Sequence, residues 1–213
     1  MFRTFLAPFV ARGFSPSLIF DIGAYEGEFL DFCGDQFPSA DRWAFEPNIA
    51  KGELLSRKAD RVFTEVLAEK SDELTYWEAE IPIQTGNSIF REHTNVGFRA
   101  TTRRAVGIDS LVEGRVPQLV KLDTQGSELA ILKGGLHSIC QADIVITEVQ
   151  VRRYNESAPL FFEVMSFMEA QDYILVDIAD ALRVSGILIQ SDAVFVRRSS
   201  PFCSENARLE FAF

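Results

Sequence analysis

The fold class of this chain is decided by residues 18–27, Leu18-Ile19-Phe20-Asp21-Ile22-Gly23-Ala24-Tyr25-Glu26-Gly27. The first five residues form an apolar run of strand length, and the glycines that follow allow a tight turn into a helix. Outward from this stretch, further apolar runs alternate with segments in which apolar residues have helical spacing, at 26–37, 127–140 and 159–170. Near-continuous apolar strands separated by helices predict an α/β fold with a mainly parallel sheet covered on both faces.

Two regions depart from this alternation. Residues 180–192 contain Gly186 and no good helical pattern, so the strands at 173–176 and 193–196 are predicted to pair antiparallel. Residues 80–105 show no clear period and are predicted to form a long loop, a candidate lid that selects the substrate. The other strands are predicted at 43–46, 62–68, 74–77, 119–123 and 143–149.

The length of 213 residues predicts a single domain, 1–213. In segment 1–15, apolar residues at helical spacing predict a short helix that packs on the domain, and a cleaved leader is the alternative. The tail, 199–213, is predicted to be a surface segment tied down by Phe202 and Phe211. The phenylalanines at both ends either pack internally or form a homodimer patch. They are Phe2, Phe5, Phe9, Phe202, Phe211 and Phe213.

The composition excludes several classes of function. Lys and Arg number 21 and Asp and Glu number 31, and the resulting net charge of −10 disfavours a broad nucleic-acid-binding surface or a polybasic membrane anchor. No apolar run approaches the length that spans a bilayer. Cys33, Cys140 and Cys203 are too far apart for a zinc or redox motif, so we expect reduced thiols in a cytoplasmic protein.

The turn after the first strand carries the first candidate site. Gly23 and Gly27 permit close approach of a ligand, but the middle glycine of a dinucleotide-binding turn is missing. Glu26 and Glu28 lie in the first turn of the next helix, where they disfavour a phosphate. With Asp21, this acidic turn suits a cationic ligand with an amino-acid end. The alternative is a purely structural glycine turn.

The next two strand ends extend this candidate site. Glu46 ends the second strand, and an acidic residue there can accept hydrogen bonds from both hydroxyls of a ribose. The alternative is an exposed glutamate before Pro47. Leu67 and Ala68 end the third strand. Their position at a strand end is the only reason to expect them on either side of an adenine ring.

The fourth and fifth strands bring charged residues to the same edge. Lys121 and Asp123 alternate with apolar neighbours, so both side chains lie on one side of their strand. Glu128 follows in the first helical turn, and Glu148 ends the next strand. These four groups are predicted to converge on one crevice, although Glu128 alone is also explained as a charge that favours a helix start.

These motifs resemble a known family. Residues 21–27 with Phe45-Glu46-Pro47 look like the first two motifs of class I S-adenosylmethionine-dependent methyltransferases. Residues 120–128, Val-Lys-Leu-Asp-Thr-Gln-Gly-Ser-Glu, followed by residues 131–135, Ile-Leu-Lys-Gly-Gly, are similar to the signature of the FkbM family. The resemblance covers about residues 17–197.

The resemblance implies a Rossmann-like, seven-stranded sheet with an antiparallel last strand. It also implies an O-methyltransferase that uses S-adenosylmethionine on a hydroxyl of a sugar, polyketide or related acceptor. By position, the methionine end would be held by Asp21, Gly23, Ala24, Tyr25 and Gly27, and the ribose by Glu46 next to Pro47. Thr124 and Gln125 stand where the family often has Val and Glu, so a proton-transfer role of that Glu would be missing here.

Several chemical roles stay open. Asp123 is the first candidate for the base, with Lys121 stabilising the developing alkoxide or tuning Asp123, and His93 as a second base. A divalent cation between Asp123 and Glu148 is an option to which the sequence does not commit. Within 91–104, a local basic patch either binds an anionic acceptor or is an ordinary solvated loop. Its members are Arg91, His93, Arg99, Arg103 and Arg104.

Two other classes of function compete with the methyltransferase. A nicotinamide-dependent oxidoreductase of Rossmann type is disfavoured by the missing glycine and the acidic first helical turn. A catalytically inactive cofactor-binding module is disfavoured by the presence of Asp21, Glu46 and Asp123 together. The expected partner is a small-molecule or glycan acceptor, without nucleic acid.

Overall fold

The structure, a computed structural model, describes residues 2–81 and 86–203, with side chains from Phe5 onward. The helices are α1 (Phe2–Ala11), α2 (Glu28–Gln36), α3 (Gly52–Leu55), α4 (Glu128–Lys133) and α5 (Phe161–Ala170). The strands are β1 (Leu18–Ile22), β2 (Asp41–Phe45), β3 (Arg61–Phe63), β4 (Val66–Leu67), β5 (Asp72–Ala79), β6 (Phe98–Val106), β7 (Leu119–Leu122), β8 (Ile144–Gln150), β9 (Tyr173–Val184) and β10 (Ile187–Arg197).

The main sheet has seven strands in the order β3-β2-β1-β7-β8-β10-β9. β3, β2, β1, β7 and β8 are parallel, and β10 is antiparallel to both β8 and β9. The prediction of a mainly parallel sheet with an antiparallel last strand is therefore confirmed. Strand order reverses between β1 and β7, and in such sheets the ligand crevice lies beyond the carboxyl ends of the strands at this point.

Two hydrophobic clusters cover the two faces of this sheet. Because side chains alternate along β1, Phe20 belongs to one cluster and Ile19 to the other. α4 and α5 cover the first face, and α1 and α2 cover the second. The buried side chains of Phe5, Leu6 and Phe9 confirm the predicted N-terminal helix.

The two ends of the described chain meet in the second cluster. The Phe14 and Phe202 rings lie edge to face, with centroids 5.0 Å apart, so Phe202 ties down the start of the tail as predicted. The side chain of Phe2 and residues Phe211 and Phe213 lie outside the described residues, and the homodimer patch stays a prediction.

A second, three-stranded sheet corrects the prediction for residues 80–105. Its order is β4-β6-β5, and β6 pairs antiparallel with β5 from Asp72↔Ala105 to Ala79↔Phe98. The predicted loop is therefore wrong over 98–105. Only one of the nine residues of β6, Ala105, is buried, so no apolar period marks this strand, and its backbone pairing holds it in place. The predicted third strand, 62–68, is divided between the two sheets.

Other predicted boundaries were also displaced. α4 ends at Lys133, not at Cys140, and is followed by Gly134 and Gly135, which disfavour a helix. Gly134 also permits close packing, since a Cβ there would overlap the Ala68 carbonyl oxygen. The last two strands are much longer than predicted and form a hairpin with its turn at 185–186. This hairpin extends past the end of the sheet and reaches the candidate site.

Candidate functional site

A cavity of about 700 Å³ opens at the carboxyl ends of the parallel strands, a size suited to a small organic ligand. Its walls come from the turn after β1, the ends of β2 and β7, and the β9–β10 hairpin. The strand ends singled out in the sequence therefore meet at one place.

The turn after β1 is fixed by contacts on both sides. The Gly23 amide donates to the Phe45 carbonyl at 2.8 Å, which joins the turn to the end of β2. Tyr25 adopts a left-handed backbone conformation with φ 45°. The Lys51 Nζ lies 4.2 Å from the centre of the Tyr25 ring and 2.7 Å from a Glu26 carboxylate oxygen. The turn therefore presents a preformed wall of the cavity.

Gly23 is required by both its backbone and its surroundings, and this gives a first prediction. Its φ is +80°, and a Cβ there would overlap the carbonyl oxygen of Asp123. Gly13 has φ +88° with no atom within 4 Å of such a Cβ. We expect Gly13→Ala to cost about 1 kcal/mol of unfolding free energy and Gly23→Ala about 3 kcal/mol or more. Urea unfolding measures both; equal costs would contradict the close-approach argument.

Glu46 is buried and held in one orientation. Its Oε2 accepts from the Tyr25 amide at 2.9 Å and its Oε1 from the Asn48 amide at 2.8 Å. Burial raises the pKa of Glu46, and these two backbone bonds oppose the rise. Each carboxylate oxygen retains acceptor capacity for a ligand in the cavity.

Asp21 lies on the cavity wall with an unsatisfied carboxylate. The residue is 1 % exposed, and no group in the described part of the chain donates a hydrogen bond to either oxygen. Burial raises the pKa of Asp21 to about 7, although the nearby Lys121 ammonium lowers it. A buried carboxylate without a donor is costly, and a cationic ligand would satisfy it.

Lys121 is a buried cation among carboxylates. Its Nζ lies 3.0 Å from an Asp123 oxygen, and its neighbour across the β1–β7 pair is Asp21. Burial lowers the pKa of Lys121, but Asp123 and Asp21 together raise it above its usual value. Asp192 of β10 is the third carboxylate of this group, and burial raises its pKa to about 6. Lys121 therefore stays a cation at neutral pH.

Glu148 lies beside this pair within a network of amides. The Gln125 side-chain amide donates to Asp123 at 3.1 Å and reaches Glu148 at 3.4 Å. The Gln190 side-chain amide nitrogen also donates to Glu148, and the Tyr154 hydroxyl donates to the Oε1 of Gln190. Burial, then Asp123, raises the pKa of Glu148 well above its usual value.

Sequence reasoning missed Tyr154, Gln190 and Asp192 as members of this site. Gln190 and Asp192 are polar residues at alternate positions of a strand that is otherwise apolar beyond them. That alternation is visible in the sequence. It does not show that the two residues lie beside the cavity, because they are brought there by the pairing of β10 with β8, in which Asp192 lies opposite Glu148.

Three predicted site residues lie elsewhere. His93 is exposed and does not line the cavity, so it is not placed to act as a base. Ala68 packs in a small cluster with Tyr76 instead of lining the cavity, whereas Leu67 lines it. Glu128 is buried behind the wall, where one oxygen accepts from the Thr124 and Gly126 amides. Glu128 thus holds the loop after β7 in place.

The predicted basic patch does not face the cavity. Arg99 pairs with Glu78 at 2.7 Å, and Arg91 lies over the Trp77 ring. Arg103 donates to the Pro47 carbonyl at 3.2 Å. Among the described residues, no three His, Cys, Asp or Glu side chains are grouped so that they could hold a metal ion, and no helix is long and apolar enough to cross a membrane.

Comparison with solved structures defines the class of fold. The magnesium protoporphyrin IX methyltransferase of Synechocystis, solved with bound S-adenosylmethionine, matches 91% of this chain and 76% of its own with a TM-score of 0.52 at 11% identity. Fibrillarin, in its complex with Nop5p, matches 92% and 81% with a TM-score of 0.50 at 16% identity. With the observed strand order, the fold is the Rossmann-like fold of class I methyltransferases.

The sequence comparisons then give the family. The profile of the methyltransferase FkbM domain matches residues 21–175, and this chain belongs to the FkbM family of S-adenosylmethionine-dependent methyltransferases. The hexuronic acid methyltransferase of Haloferax volcanii is 25% identical over 174 residues, which are 74% of this chain and 69% of that protein. Membership of this family rules out the nicotinamide-dependent oxidoreductase that the sequence left as an alternative.

Proposed function

We propose that this protein transfers the methyl group of S-adenosylmethionine to a hydroxyl oxygen of a small-molecule or glycan acceptor. The observation that carries the proposal is the Lys121–Asp123 pair at 3.0 Å on the cavity wall, a cation beside a proton acceptor. An alcohol needs both, because it must lose a proton and its oxygen carries negative charge as it attacks. The name of the Haloferax relative supports a sugar acceptor.

The residues present fit S-adenosylmethionine. The unsatisfied Asp21 carboxylate suits the ammonium group of its methionine end, with the turn at Gly23, Ala24, Tyr25 and Gly27 beside it. We assign the ribose hydroxyls to Glu46, whose orientation is fixed by two backbone amides. Pro47 and Leu67 line the same end of the cavity. When bound, the cofactor supplies a methyl group on a positively charged sulfur.

The side chains at the other end of the cavity handle the proton. Asp123 is held at both oxygens, by Lys121 on one and Gln125 on the other. Asp123 would take the proton that the acceptor hydroxyl loses when its oxygen is methylated. Lys121 keeps its proton and stabilises the negative charge on the oxygen. Most of the remaining acceleration comes from holding the reacting atoms in line.

Cofactor affinity should depend on pH through Asp21. The carboxylate must be ionised to accept from an ammonium group, and its pKa without ligand is about 7. Affinity should therefore fall as the pH drops below 7, by about twentyfold between about pH 7.5 and about pH 5.5. Calorimetry with S-adenosylmethionine measures this. Asp21→Asn should bind weakly and lose most of the dependence, and the exposed Asp35→Asn should retain it.

The choice of oxygen as acceptor atom is tested with S-adenosylmethionine carrying a ¹³C-labelled methyl group. The purified chain is incubated with methyl hexopyranosides, macrolactone alcohols, and matched amines and thiols. The carbon chemical shift of the product distinguishes O-methyl from N-, S- and C-methyl groups. We expect an O-methyl signal that grows with S-adenosylhomocysteine and requires Asp123. Label on nitrogen, sulfur or carbon alone would overturn the proposal.

A further inference from the structure

The cavity is strongly acidic. Among the described residues, nine Asp and Glu side chains line it, and Lys121 is the single basic side chain that does. Lys121 is already paired with Asp123 and lies close to Asp21 and Asp192. A negatively charged group on the acceptor, such as a carboxylate, would therefore find no unpaired cation among these lining residues.

Four of these nine carboxylates lie at the end of the cavity that we assign to the acceptor. Asp123 and Glu148 come from the parallel strands, and the β9–β10 hairpin adds Asp180 and Asp192. We call these four residues the acidic chamber. Burial raises the pKa of Asp192 and Lys121 lowers it, while Asp123 and Asp180 raise it further, as expected for carboxylates that lie near one another.

The nearby arginines do not neutralise the chamber. Arg103 is turned to the Pro47 and Thr64 carbonyls, Arg99 to Glu78, and Arg91 to the Trp77 ring. The residues between β5 and β6 that lie outside the description, 82–85, read Pro-Ile-Gln-Thr and carry no charge. The arginines of 91–104 therefore do not supply the anion-binding lid considered from the sequence.

The chamber is instead rich in hydrogen-bond acceptors. Carboxylates accept from hydroxyl groups, and the Gln125 and Gln190 amides on the cavity wall offer both donors and acceptors. An uncharged compound with several hydroxyls can satisfy these groups, whereas a carboxylate is repelled by them. The presence of a base also fits a hydroxyl acceptor. A hydroxyl must lose its proton when it is methylated, whereas a carboxylate is already ionised and needs no base.

We infer that the acceptor is an uncharged polyol, such as a neutral sugar ring, and that the acidic chamber excludes sugar acids. The inference rests on the proposed methyl transfer to oxygen and narrows its substrate class. It separates this chain from the Haloferax relative, whose name specifies a hexuronic acid. Asp180 becomes a specificity-determining residue on the hairpin.

The test compares matched acceptors of one shape and different charge. Methyl glucoside, methyl glucuronic acid and its uncharged amide are each given to the full chain with S-adenosylmethionine, as are the galactose and mannose series. Release of S-adenosylhomocysteine gives kcat/KM, and saturation-transfer NMR on the chain with S-adenosylhomocysteine gives binding. We expect the neutral sugar and the amide to exceed the acid by about tenfold or more in at least one series.

Variants locate the origin of this preference. Asp180→Asn should narrow the gap between the neutral sugar and the acid. Asp177→Asn is the matched control, because Asp177 lies on the same strand but does not line the cavity. An acid preferred to its neutral partner would overturn the inference, as would binding of no sugar while the cofactor binds normally. Failure of the wild type to bind S-adenosylmethionine would instead overturn the proposed function itself.

Discussion

Replacing Glu46 by alanine is expected to weaken S-adenosylmethionine binding by about a hundredfold or more. The carboxylate is buried, and the Tyr25 and Asn48 amides fix its direction. If Glu46 binds the two ribose hydroxyls as proposed, the variant loses both bonds, and each bond to a charged group contributes about 1.5–3 kcal/mol. It also releases the Tyr25 amide from the turn that forms the methionine end.

Calorimetric titration with S-adenosylmethionine and S-adenosylhomocysteine measures this loss. Glu53→Ala is the matched control, since Glu53 is highly exposed and its ion pair with Arg57 lies on the surface. Glu46→Gln should lie between the two, because an amide accepts through one oxygen only. Binding by Glu46→Ala within threefold of the wild type would remove Glu46 from the cofactor site.

The second large effect is expected at Asp123. Asp123→Asn preserves shape but cannot take a proton, so kcat should fall by about 10²–10⁴-fold. Cofactor affinity should stay within a few-fold, because in the proposed arrangement Asp123 binds the acceptor and Glu46 binds the ribose. The Lys121→Met variant should lower kcat as well, by removing the cation that stabilises the developing alkoxide.

The readouts are kcat and cofactor affinity, each on variants whose thermal unfolding shows a folded chain. Asp123→Asn should lower kcat and leave the affinity for S-adenosylmethionine nearly unchanged. Lys133→Met, on an exposed position of α4, controls for loss of a lysine as such. Wild-type kcat in Asp123→Asn would assign the proton to another group, with Glu148 the nearest alternative.

Much of the site was accessible from the sequence because parallel strands end at one edge. Glu46 and Asp123 directly follow β2 and β7, Asp21 and Glu148 lie within the last three residues of β1 and β8, and all four line the cavity. The glycine turn was readable for the same reason, since its spacing marks where the chain leaves the sheet. The predicted α/β order and the antiparallel last strand also follow from local patterns of apolar residues.

Tertiary structure alone decided the rest of the site. The sequence made Glu128 and His93 candidates for the site, and only the packing shows that Glu128 supports the loop after β7 and that His93 is exposed away from the cavity. β6 has no apolar period because its stability comes from pairing with β5.

The difference between what the sequence showed and what only the folded structure showed has a physical cause. Periodicity records how each element is buried against its immediate surroundings, so the sequence by itself determined the sheet, its main helices and the strand-end residues of the site. The acidic chamber depends on pairing between distant strands: β10 reaches Glu148 only through its register with β8, and β9 brings Asp180 only by pairing with β10. Local patterns contain no record of such long-range register, so the groups that set acceptor charge appear only in the folded chain.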